Sequence, residues 1–202
     1  MKDETLIVTA GRDPEGHYGV VNTPVYRTST VLFPTVAALE GREGRLGMTY
    51  GRAGTPTTFA LEEAMAALEG GGGAVVVASG KAAVVLSLAA FLKAGDHLLM
   101  VDSAYAPTRS FCDHVLARFG VETTYYDPLV GAGIDALVRP NTRIVYLESP
   151  GSLTFEVQDV PAIAAVARRH GALVCLDNTW GTPLLFKAFE HGVDLSIHAG
   201  TK

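Results

Sequence analysis

From Thr55 onward the apolar residues fall into two alternating rhythms. Thr55-Pro56 supplies a cap and a first-turn proline, and Leu61, Ala64, Met65 and Leu68 then recur at helical spacing until Gly70 to Gly73 stop them. Ala74 to Ala78 reads as a short, fully apolar strand, and Ser79-Gly80-Lys81 turns into an apolar helix that ends near Lys93. The alternation predicts strands over His97–Val101, Glu122–Tyr126, Arg143–Leu147, Ala172–Leu176 and Leu195–His198. Between them it predicts helices over Thr108–Phe119, Ile134–Val138 and Val160–His170, the last with Pro161 in its first turn. Strands that are apolar on both faces and separated by helices indicate an α/β fold, with a mainly parallel sheet covered by helices on both faces.

Residues 1 to 54 follow neither rhythm. They are rich in Gly, Pro, Thr and Arg, with no helix of useful length visible before Phe59. Such a segment buries little of itself, and it reads as an extended N-terminal arm (1–54) preceding an α/β domain (55–202). The alternative is a disordered N-terminus, against which Tyr26, Phe33 and Tyr50 count.

Composition narrows the function classes. At 48% hydrophobic and 18% charged, the 202 residues can bury a large core, which excludes intrinsic disorder. A net charge of −5 without a Lys/Arg stripe argues against a nucleic-acid partner. The longest apolar stretch, Ala82 to Leu92, is too short to span a bilayer, so no membrane association is expected. Cys112 and Cys175 match no zinc or redox spacing, and a reducing cytoplasm is the simpler setting. The six histidines show no helical ligand spacing and read as surface or core residues, so no metal is expected.

Chemistry is sought where parallel strands end. A dinucleotide fingerprint would need glycines after the first strand, but here the glycine run precedes Ala74–Ala78 and only Gly80 follows it. Gly80-Lys81 is followed by Ala82, so no P-loop is present either. Ser79-Gly80-Lys81 can still leave backbone N–H groups pointing at a loop, as an anion site suited to phosphate; a tight connection with no ligand fits equally. Asp177, at the end of a buried strand, calls for a cationic partner or serves as the cap of a following turn. Lys202, behind Ala199-Gly200-Thr201, is either a site amine held near neutral or a solvated surface charge.

A resemblance resolves these alternatives. Tyr50 to Thr57, Ala78 to Ala83, Gly95-Asp96-His97 with Ala104-Tyr105, Leu147 to Pro150, Asp177 to Trp180 and Thr201-Lys202 together resemble the Cys/Met-metabolism family of pyridoxal-phosphate enzymes, in order and spacing from about residue 18 onward. The resemblance implies the large domain of the fold-type I transferases and pyridoxal 5'-phosphate as cofactor. Lys202 would bond to the cofactor aldehyde and shuttle the substrate Cα proton, and Asp177 would pair with the pyridine nitrogen. Tyr105 would stack on the ring. Gly80 and Lys81 would bind the phosphate through backbone N–H groups, and Thr201 through its hydroxyl. Tyr50 and Arg52 would reach the phosphate of a neighbouring subunit, which implies a homo-oligomer of shared sites, a dimer or a tetramer.

Leu147 to Thr154, Trp180 in place of the family's usual Phe, and Asp127-Pro128-Leu129 further resemble the bacterial cystathionine β-lyases. The implied reaction is cleavage of cystathionine, a sulfur amino acid, to homocysteine, pyruvate and ammonia. A γ-lyase or γ-synthase, or a non-catalytic cofactor-binding fragment, is the alternative. Two positions depart from the family: Ala199 stands where many members carry Ser, and Lys81 where small or apolar residues are common. Members run to nearly twice this length, so a smaller C-terminal domain carrying the arginine for the substrate carboxylate is expected beyond Lys202.

Overall fold

The computed structural model describes residues 2–41 and 47–202, and the chain divides into two compact units, Met1–Val76 and Val77–Lys202. In the first unit, α3 (Pro56–Glu69) starts on the expected cap: Thr55 and Thr58 form a reciprocal capping box, with Pro56 in the first turn. Gly70, at φ 70°, ends it in the left-handed region that favours glycine. The preceding segment, where no helix of useful length is visible in the sequence, carries two short ones, α1 (Asp3–Thr9) and α2 (Val36–Glu40). α1 packs on α3, and a side chain at Gly11 would lie 2.0 Å from the carbonyl oxygen of Ala60. Tertiary contact thus overrides the weak helix propensity of Thr5, Ile7, Val8 and Thr9. Thr57 pins the segment further, accepting the N–H of Tyr26 at 2.9 Å and donating to the carbonyl of Pro24 at 2.7 Å.

The strand expected over Ala74–Ala78 does not form. A strand needs a ladder partner, and the N–H of Val76 donates instead to Glu62 Oε1 at 3.0 Å.

The second unit is a five-stranded parallel sheet in the order β2-β1-β3-β4-β5, made of β1 (His97–Val101), β2 (Glu122–Tyr126), β3 (Thr142–Glu148), β4 (Leu173–Asp177) and β5 (Leu195–Ile197). All five residues of β1 and all but Arg143 of β3 are buried, which requires cover on both faces. α4 (Gly80–Ala89) packs on β5 and on α5 (Ala106–His114), while α6 (Val160–Arg169) packs on β3 and β4. A short α7 (Thr182–Leu185) follows β4. The helix expected over Thr108–Phe119 forms as α5 and ends in a 3-10 turn over Leu116–Phe119, while the one expected over Ile134–Val138 lies in a 3-10 helix over Gly131–Leu137. Glycines at 131 and 133 lower α-helix propensity in that second segment.

The chain runs from β1 outward to β2 on one side, then returns to build β3, β4 and β5 on the other. The winding therefore reverses between β1 and β3. Ligands of open parallel sheets bind at the carboxyl ends of the strands beside such a reversal.

Candidate functional site

The carboxyl ends of β1, β3, β4 and β5 bring most of the sequence-selected residues of this unit to one edge. Tyr105 leaves β1 as the N-cap residue of α5, with its side chain half exposed. Its backbone N–H donates to Glu148 Oε2 at 2.7 Å. Glu148 closes β3, is 4% exposed and lies opposite Asp177 in the β3–β4 register.

Asp177 does make the turn that its position at a strand end suggests: Oδ1 accepts the N–H of Thr179 at 3.1 Å. Thr179 Oγ1 in turn accepts the N–H of Ala199 at 2.9 Å, which ties the exit of β4 to the segment carrying Thr201 and Lys202. The N–H of Lys202 donates to the carbonyl of Ala199 at 3.1 Å, so the segment closes on itself, with Thr201 and Lys202 exposed.

Ala199 also meets the start of α4. A Cβ on Gly80 would lie 2.6 Å from the Cβ of Ala199, a distance real side chains do not reach. Only glycine lets the helix begin this close. Ser79 caps α4 by accepting the N–H of Ala82 at 3.1 Å. The first-turn N–H groups of Gly80 and Lys81 have no intrahelical acceptor, which leaves two donors at the positive end of a helix dipole. The side chain of Lys81 is exposed, and its role is not explained by this arrangement.

Electrostatics single out Glu148. Burial pushes its carboxyl up to about 7; the Tyr105 N–H opposes the shift and the charge of Asp177 adds to it. In the sequence Glu148 stands only as part of the family-like stretch Leu147 to Pro150, and Thr179 as part of Asp177 to Trp180, neither with a role of its own. The signal for Glu148 was a carboxylate directly after four apolar strand residues, Ile144 to Leu147.

Tyr50 and Arg52 belong to the first unit, both exposed. Tyr50 forms an isolated antiparallel bridge with Thr30, and the N–H of Gly51 donates to Ser29 at 2.7 Å. A Cβ at Gly51 would lie 2.1 Å from the Thr28 carbonyl oxygen, so glycine is required between them. A shallow cavity at the ends of β1 and β2 is lined by Asp102, Tyr126 and Glu156 and by the family-like Asp127, Pro128 and Leu129, and holds none of the residues expected to bind the cofactor.

A helix N-terminus, a strand-end carboxylate and a lysine-bearing turn are gathered on one sheet edge, the place where open parallel α/β sheets bind anionic ligands. The chain belongs to the Cys/Met metabolism PLP-dependent enzyme family, whose sequence profile matches residues 4–202. It is 56% identical to a Rhizobium johnstonii protein provisionally named a cystathionine beta-lyase, covering 98% of this chain and 50% of that protein. It is 47% identical to the Escherichia coli cystathionine beta-lyase MetC, covering 100% of this chain and 52% of MetC. An L-methionine gamma-lyase of Pseudomonas putida is also similar, at 38% identity over 98% of this chain and 50% of that protein. The crystal structure of metB from Corynebacterium glutamicum superposes with a TM-score of 0.92 at 32% identity, over 100% of this chain and 51% of that one. The fold is that of the large domain of the fold-type I pyridoxal-phosphate enzymes. The chain spans about half the length of the curated relatives it matches.

The residues present suit pyridoxal phosphate. Two first-turn N–H groups without an intrahelical acceptor at the start of α4 match a phosphate, and the Asp177 carboxylate, whose Oδ1 accepts the Thr179 N–H, can also accept a proton from a ring nitrogen.

Proposed function

We propose that this chain is the cofactor-holding part of a carbon–sulfur lyase that converts cystathionine and water to homocysteine, pyruvate and ammonia by β-elimination. The observation that carries the reading is the linked edge itself. Tyr105, Glu148, Asp177, Thr179, Ala199 and Gly80 follow one another by hydrogen bond, strand register or close contact, and Lys202 lies in the turn that Ala199 closes.

When bound, pyridoxal phosphate supplies an electron sink for a substrate carbon that has lost its proton. In this reading Gly80 and Lys81 hold the phosphate through backbone N–H groups, with the Thr201 hydroxyl beside them. Asp177 holds a proton at the ring nitrogen, because an acceptor-only anion stabilises N–H⁺. Tyr105 stacks on the ring. Lys202 anchors the group and its amine moves the substrate Cα proton. Residues 1–54 form an arm whose Tyr50 and Arg52 reach the phosphate held by a neighbouring copy, so the working unit is a dimer or a tetramer. We place it in the cytoplasm, in keeping with two free, buried cysteines. No helix among the described residues is long and apolar enough to cross a membrane.

β-Elimination is preferred to γ-elimination because identity is higher to the β-lyase MetC than to the P. putida γ-lyase. Product analysis tests the choice. Pyruvate released from cystathionine is the expected result; 2-oxobutyrate would reassign the chain to γ-elimination.

A further inference from the structure

We infer that Glu148 is a positioning residue, which fixes the backbone of Tyr105 and thereby sets the ring-stacking side of the cofactor site. The inference rests on the reading that this edge holds pyridoxal phosphate, and it adds a residue to which that reading gives no role.

Glu148 stands where the winding of the sheet reverses, on the middle strand of the five. One neighbour is the loop after β1 that carries Tyr105, and the other is Asp177 at the end of β4. A single carboxyl thus lies between the residue proposed to stack on the ring and the residue proposed to hold its nitrogen.

Burying a carboxyl at 4% exposure is costly, and the four preceding strand positions are filled by apolar side chains. Packing alone does not call for Glu here. Its Oε2 does something no apolar side chain can: it accepts the N–H of Tyr105 at 2.7 Å. Tyr105 is also the residue from which α5 starts, its carbonyl accepting the N–H of Thr108 at 2.8 Å. Its backbone is therefore held from both sides, while its side chain remains half exposed. A fixed backbone and an available ring are what a stacking residue requires.

Burial also keeps the carboxyl protonated up to about pH 7, so it does not compete with Asp177 as an anion over most of the acid range. A neutral amide of the same shape should then do the same work. Glu148→Gln keeps an oxygen acceptor; Glu148→Leu removes it.

The test uses the holoenzyme and reads cofactor affinity and the visible circular dichroism of the bound cofactor, neither of which depends on turnover. Glu148→Leu is expected to weaken cofactor binding about tenfold and to halve the dichroic band, whereas Glu148→Gln stays within about twofold of wild type. If Glu148 acts through Tyr105, Glu148→Leu should cost little more in a Tyr105→Ala background. Effects that add across the two positions would overturn the inference, as would a Glu148→Leu protein indistinguishable from wild type. Should Glu148→Leu not fold, the Gln variant decides: a tenfold loss there would show that the acceptor is not what matters. Wild-type protein that binds no cofactor would refute the reading beneath, and this inference with it.

Discussion

At the scale of single residues, the carboxyl of Glu148 makes stability depend on pH in a definite direction. Its folded value is raised from 4.5 to about 7, so the native state holds a proton that the unfolded chain has released. The stabilisation is complete below about pH 4.5, falls as pH rises, and is lost above about pH 7. Glu148→Gln removes this slope. Relative to wild type, the cofactor-free variant should gain up to roughly 3 to 4 kcal/mol between those limits, the equivalent of the shift at about 1.4 kcal/mol per unit. Denaturant melts at pH 5 and pH 8 check it; equal differences at both would contradict a buried, protonated carboxyl.

His97 shows how a residue can be half legible. Its sequence context allowed a surface or a core histidine, and the structure buries it completely, with Nδ1 2.8 Å from Thr142 Oγ1 and Nε2 2.9 Å from Thr124 Oγ1. Burial, with Arg139 nearby, lowers its pKa while Glu122 opposes. Its stabilisation is present above the ordinary histidine range and fades as pH falls below it. Neither threonine could be assigned to it from the sequence, because both come from other strands.

At the scale of elements, short strands were the readable feature, as continuous apolar runs in β1 and β3 and as a β-branched and aromatic run in β2. β1 and β2 match their expected limits, and β3, β4 and β5 lie within a residue of theirs at either end. Elements that depend on a partner elsewhere were not readable. α1 is held by α3, which its own β-branched sequence does not announce. The segment 74–78 has a strand's composition, but a backbone donor goes to a glutamate instead of a ladder. The candidate site divides in the same way. Gly80, Tyr105, Asp177 and Lys202 were visible through family-like spacing, whereas Glu148 and Thr179 matter through hydrogen bonds that close only in three dimensions.

The start of α4 gives a prediction of its own. Gly80→Ala places a methyl 2.6 Å from the Cβ of Ala199, and either the helix or the 199–202 turn must move. Cofactor affinity should fall about tenfold or more, while the melting temperature changes by only a few degrees. Equilibrium titration with pyridoxal phosphate measures the first and a thermal scan the second. Unchanged affinity would remove the close approach of helix and turn from the account of the phosphate site.

At the scale of the whole molecule, the proposal makes the arm of one chain part of a neighbour's site. An Arg52→Ala chain mixed with a Lys202→Ala chain should then recover activity, because one hybrid site carries neither substitution. Recovery is read as pyruvate release after proven subunit exchange. No recovery would confine each site to a single chain. Asp177→Ala, by contrast, should abolish turnover in every combination whose only otherwise intact site carries that substitution, even where cofactor is retained.

The central claim is that the turn after β5 carries the cofactor on Lys202, at the edge where Asp177 and the start of α4 are joined through Thr179 and Ala199. Borohydride reduction of the cofactor-loaded enzyme, followed by peptide mapping, addresses it directly. The account predicts a single pyridoxyl group on Lys202; a label on Lys81 or Lys187, or none on a protein saturated with cofactor, would contradict it.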